Sequence, residues 1–161
     1  MNKNLFFLLL VMLLPGVSGC FFEPYREVER YELPVQQRVK SPLLAVEFIN
    51  LSGSSTAYRS VDPDGRIRDD ARFKWALPPG ELVPRSLNRC FAGDGSRRLS
   101  GTIDTFAETG GEFVCAGTIR CGNRTVRFRC TAPVTDATPA ARAEAAARCV
   151  EKLAAETAKV L

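Results

Sequence analysis

Histidine is missing from this chain, and the residues best able to do chemistry are six cysteines and a run of arginines near positions 120 to 130. Without histidine there is no common general base, no serine or cysteine dyad that depends on one, and no imidazole metal ligand. A hydrolase would need a Ser-Lys or paired-carboxylate site, and neither stands out by spacing. The cysteine spacings match no zinc ribbon or finger, so no metal is expected. The expectation is a binding protein without catalysis.

The most informative stretch is GEFVCAGTIRCGNRTVRFRC, from Gly111 to Cys130. Gly122-Asn123 signals a two-residue hairpin loop, because both residues tolerate positive φ. Facing positions would then have numbers summing to 245. One face presents Ile119 with Val126, Gly117 with Phe128, and Cys115 with Cys130. The other presents Arg120 with Thr125, Thr118 with Arg127, and Ala116 with Arg129. A slip of one residue would mix apolar with polar on both strands, which selects this register. Arg120, Arg127 and Arg129 then form one stripe, suited to a partner's carboxylates or to lipid phosphates, or simply a solvated strand face.

The cysteines take their meaning from the compartment. Lys3, the apolar run Leu5 to Leu14 and small residues after Pro15-Gly16 have the form of a secretory signal peptide. The run is too short for a membrane-spanning helix, which needs roughly 20 apolar residues. Val17-Ser18-Gly19-Cys20 resembles the lipobox of bacterial lipoproteins. That resemblance implies cleavage before Cys20 and acylation of Cys20 as the first residue, a covalent lipid being the only attached group expected. Phe21 in place of an aspartate implies, in such a family, sorting to the outer membrane.

In that oxidising setting Cys115 and Cys130 are expected to bridge. Directly opposed positions have Cα atoms ~5.5 Å apart, inside the disulfide range. A closed loop of about 16 residues would contribute roughly 3 kcal/mol. Cys90 and Cys149 both sit on inward helix faces, leaving a second bridge or two buried thiols as the readings. Cys121 is left over.

The elements that position these residues can be read in turn. Residues 1–19 are the leader, residues 20–42 a lipidated cysteine and solvated tether, and residues 43–161 the domain. LLAVEFINL, from Leu43 to Leu51, reads as a largely buried strand. Short strands are expected near Ala57 to Ser60 and Arg66 to Trp75, either side of the Asp62-Pro63-Asp64-Gly65 turn. Pro78-Pro79-Gly80 opens a helix to about Phe91. RRLSGTIDTF, from Arg97 to Phe106, alternates as a strand. Thr138 caps and Pro139 starts a last helix whose inward stripe is Ala146, Val150, Leu153, Thr157 and Val160. The order predicts an α+β fold: a two-layer sandwich of a mainly antiparallel or mixed sheet with two helices packed on one face.

Tyr31-Glu32-Leu33, Tyr58-Arg59, Trp75-Ala76-Leu77-Pro78-Pro79 with its helix, Leu99-Ser100-Gly101-Thr102-Ile103 and the final helix, in that order behind a lipobox, resemble the ABC-type transport auxiliary lipoprotein family. The resemblance runs from about Tyr31 to Leu161. It implies a periplasm-facing docking subunit, held in the outer membrane by its lipid. Its partners would be an MCE-domain protein and an ABC transporter that move lipids or other hydrophobic molecules between membranes. It carries no catalytic residues over. A structural envelope lipoprotein of a lipopolysaccharide-export or secretion assembly is the alternative.

Charge is consistent with either reading. The chain carries a net +4, and loss of residues 1–19 removes Lys3 and no acid. So mild an excess is no nucleic-acid signature, and it permits contact with anionic lipid without requiring it.

Overall fold

The structure, a computed structural model, describes residues 28–53 and 55–161. The leader, the lipobox and Cys20 lie outside the described residues. The elements are β1 (Glu29–Tyr31), β2 (Val39–Lys40), β3 (Leu43–Asn50), β4 (Ala57–Val61), β5 (Ile67–Trp75), α1 (Pro79–Cys90), β6 (Phe91–Ala92), β7 (Arg97–Thr109), β8 (Glu112–Cys121), β9 (Arg124–Pro133) and α2 (Pro139–Val160). Both helices pack against the sheet and against each other, forming the α+β sandwich expected.

The sheet is mixed, in the order β1-β5-β4-β7-β8-β9, with β3 paired to β7 as well. The long strand β7 takes two parallel partners on one edge: β3 along residues 97–103 and β4 at Glu108 and Thr109. Its other edge pairs antiparallel with β8. The β8–β9 hairpin has the expected register throughout, from Cys121 opposite Arg124 to Cys115 opposite Cys130 and beyond. Gly122 turns it at φ 58°. Thr138 accepts a hydrogen bond from the Ala141 amide at 3.3 Å and so caps α2.

The core is aromatic at its centre. Tyr58, Phe73, Trp75, Phe106 and Phe113 are each 0–1% exposed and meet edge to face or tilted, at centroid distances from 4.8 to 6.0 Å. On α2 the expected stripe is buried at Ala146, Val150, Leu153 and Thr157, but Val160 is 52% exposed at the last turn.

Two expectations need correction. Residues 28–42 are not a solvated tether: β1 pairs parallel with β5, β2 with β6, and Leu33 is 1% exposed in the core. The apolar residues of this segment are few, yet Leu33 is in the core and Tyr31 and Val35 pack against it. Tyr31 stacks on Phe73 at 4.7 Å, and the backbone amides of Gln36 and Gln37 donate to the Glu151 carboxylate on α2 at 2.6 and 3.0 Å.

Nor is β3 largely buried. Leu43, Ala45 and Phe48 point inward, whereas Leu44, Val46 and Ile49, and Leu51 just beyond, are 39–60% exposed. Only one face of β3 is covered, by α1. An extra residue between Ala45 and Glu47 bulges the strand and sets the outward row.

Candidate interaction face

The outer face of the sheet, opposite the helices, carries the arginine stripe. Arg120, Arg127 and Arg129 are exposed, and among the described residues none forms an ion pair or a side-chain hydrogen bond. Alternation along β8 and β9 sends them outward because Ile119, Phe128 and Cys130 between them are buried.

The stripe does not stand alone. Sheet register lines up Glu47, Ser100, Arg120 and Thr125 in one cross-strand row, and Ile49, Thr102, Thr118 and Arg127 in the next. Between β3 and β9 these rows floor a shallow trough of about 270 Å³. The Thr102 and Thr118 hydroxyls meet at 2.9 Å across its base. Beneath this floor, on the side toward the core, β7 and β8 require glycine: a Cβ on Gly101 would lie 2.1 Å from the Thr118 carbonyl oxygen, and one on Gly117 2.0 Å from that of Thr102. One flank of the face is therefore cationic, the middle is hydroxyl-lined, and the other flank is the exposed apolar row of Leu44, Val46, Ile49 and Leu51.

That apolar flank lies on a strand paired on one side only, and α1 guards its other side. Asn88 accepts from the Ala45 amide at 2.7 Å and donates to the Ala45 carbonyl at 2.8 Å, standing in for a neighbouring strand. A groove of about 500 Å³ runs between β3 and α1, past Phe48, Gly80 and Pro84.

Cys90, Cys115, Cys121, Cys130 and Cys149 are all buried free thiols. Cys115 and Cys130 do face one another, but the expected bridge is not formed. The Val134 amide donates to the Gly111 carbonyl, so residues whose numbers are odd on β8 belong to hydrogen-bonded pairs. In such pairs the side chains stand farther apart than in the alternate, non-hydrogen-bonded pairs. The Cys130 thiol turns to the Glu156 carboxylate at 3.8 Å, and the Cys149 thiol donates to the Phe113 carbonyl at 3.2 Å. Cys90 and Cys149 stand as two buried thiols, one of the two readings left open: Cys149 packs toward Cys115, while Cys90 has the Glu151 carboxylate as its charged neighbour.

Burial pushes the thiols of Cys90 and Cys149 up to about 11 and that of Cys130 to about 12, and raises Cys115 well above its ordinary value. Thiols held protonated in this way are poor nucleophiles and poor metal ligands.

One polar cluster escaped sequence reasoning. The Tyr58 hydroxyl donates to Glu108 at 2.8 Å, and Arg142 of α2 lies over the Tyr58 ring at 4.8 Å. Arg142 also donates to Asp70 at 3.1 Å and sits 3.5 Å from Glu108. Burial opposes the charge on Asp70, yet the amides of Arg72 and Phe73 and the Arg142 guanidinium hold its carboxyl below the usual range. Burial, with Glu108 adding, pushes the Tyr58 hydroxyl far up. The cluster joins α2 to β4, β5 and β7. Nothing local marks it, since its members are up to 84 residues apart in sequence.

The chain matches no protein-family model and no curated protein sequence. Among solved structures it is similar to an uncharacterized protein, with TM-score 0.63 and 15% identity over 83% of this chain and 98% of that one. It is also similar to protein XCC0632 from Xanthomonas campestris, described as DUF330, with TM-score 0.55 and 14% identity over 81% of this chain and 89% of that one. At these identities the likeness is one of fold.

Proposed function

We propose that this protein is an outer-membrane-anchored accessory lipoprotein of an ABC/MCE-type system that moves lipids or other hydrophobic molecules across the periplasm. It serves as a docking subunit, with the lipid on Cys20 as tether and the outer sheet face as the contact. The observation that carries this reading is the pairing of unpartnered Arg120, Arg127 and Arg129 with the exposed Leu44, Val46, Ile49 and Leu51 on one open face. Soluble domains seldom leave so apolar a row uncovered beside cations without a partner to cover it. A partner segment with an apolar face and an acidic border fits this arrangement, the arginines pairing its carboxylates. The ordered motifs from Tyr31 to the final helix support the family reading. Tyr58, Trp75, Leu99 and Ile103 belong to one core, as a shared fold requires.

The test is capture from membranes using the native chain, an Arg120→Glu/Arg127→Glu/Arg129→Glu variant and a Cys20→Ala variant, with inner and outer membranes fractionated. An MCE-domain protein recovered with the native chain from outer-membrane fractions, and lost with the charge-reversed variant, is the expected result. Recovery of export or secretion components in its place defeats the assignment.

A further inference from the structure

A second group of unpartnered cations lies at the far end of the same sheet. On β5, Phe73 and Trp75 point into the core, so Arg72 and Lys74 point to the outer face. Arg30 of β1 stands beside Lys74 in register, while its neighbour Tyr31 stacks inward on Phe73. All three belong to the edge pair of the sheet, and among the described residues none has an ion pair or a side-chain hydrogen bond. The carboxylates of these two strands are engaged: Glu29 accepts from the Tyr31 hydroxyl, Asp69 pairs with Arg59 at 2.9 Å, and Asp70 pairs with Arg142.

The position of this edge gives it a meaning. Glu29 is opposite Phe73 in a parallel pair, so the chain arrives at the sheet alongside Arg72. Seven residues separate Cys20 from Val28, and the eight steps between them span at most about 28 Å even when fully extended. An acyl group on Cys20 would therefore let this edge reach the bilayer surface, where each Lys or Arg gains about 1 kcal/mol from anionic lipid. The arginine stripe of β8 and β9 lies several strands away, and twist of roughly 20° per strand turns it to another direction.

We infer that the edge formed by Arg30, Arg72 and Lys74 is the membrane-facing surface of the domain, lying against anionic phospholipid headgroups. This rests on the reading of Cys20 as the lipidated residue. It leaves the β8–β9 stripe free for the protein partner, so the two cation groups have separate tasks.

The experiment is arginine footprinting with phenylglyoxal on the full chain purified from membranes, with the mass of the Cys20 peptide measured in the same sample. The chain is placed on vesicles of phosphatidylcholine alone or with phosphatidylglycerol. Expected is modification of Arg30 and Arg72 slowed about fivefold or more on the anionic vesicles. High salt should restore the rate, and Arg127 should be unaffected throughout. Equal rates on both vesicles, or protection of Arg127 and Arg129 in place of Arg30 and Arg72, overturn the inference. An unmodified Cys20 peptide defeats the lipoprotein reading on which the inference rests, whereas equal rates in a sample whose Cys20 peptide is acylated defeat the inference alone.

Discussion

Asn88 closes both backbone groups of Ala45 with one side-chain amide, at 2.7 and 2.8 Å, in the manner of a strand that is not there. The contact joins α1 to the unpaired side of β3 beside its bulge.

Asn88→Ala removes both bonds and leaves the Ala45 amide and carbonyl without their partner. A loss of about 1–3 kcal/mol is expected, read as a lower denaturation midpoint in urea. The bared edge with its apolar row should also self-associate, seen as a concentration-dependent rise in light scattering. Unchanged stability and scattering would mean the edge is guarded by something other than Asn88.

Glu151, 7% exposed, clasps the segment 33–37 through the Gln36 and Gln37 amides. Glu151→Ala should cost about 2–3 kcal/mol, because hydrogen bonds to a carboxylate exceed neutral ones and two donors are orphaned. Release of this segment should show first as faster tryptic cleavage at Arg38. Glu151→Gln retains an acceptor and should lose less.

The buried thiols make the fold sensitive to alkali. Their folded values of about 11 to 12 for Cys90, Cys149 and Cys130 lie above the ordinary 9.0. Below pH 9 both states are protonated and the full stability is present. Above it the unfolded chain releases thiol protons that the folded chain keeps, so stability falls as pH climbs toward the folded values. The Tm should fall between about pH 9 and 11, and less steeply in Cys130→Ala. At neutral pH, a thiol reagent should label these residues only after denaturant is added.

Gly117→Ala places a methyl where the Thr102 carbonyl oxygen already lies, 2.0 Å away. Strands β7 and β8 would have to part, and a loss of about 3 kcal/mol is expected, with reduced soluble yield as the companion readout. Gly110→Ala makes a useful contrast: nothing lies within 4 Å of its Cβ position, and only its φ of 59° opposes the change.

The hairpin from Gly111 to Cys130 was legible because its information is local. A two-residue turn fixes the register, and one register alone separates Ile119, Phe128 and Cys115 from Arg120, Arg127 and Arg129. The helix at Thr138-Pro139 and the turn at Asp62 to Gly65 were legible for the same reason.

What only the tertiary structure decided is long-range. The parallel pairing of β1 with β5 and of β3 with β7 has no turn to announce it. The segment 28–42 therefore looked solvated until Leu33, Tyr31 and the Glu151 clasp took it into the core. The outward row of β3 was hidden in an apolar run whose period a bulge resets. Residues of the right type for a disulfide faced one another, yet theirs is a hydrogen-bonded pair, whose side chains stand farther apart, and the Cys130 sulfur turns to Glu156. Local sequence sets which side chains share a face. Whether that face is covered depends on partners brought from tens of residues away.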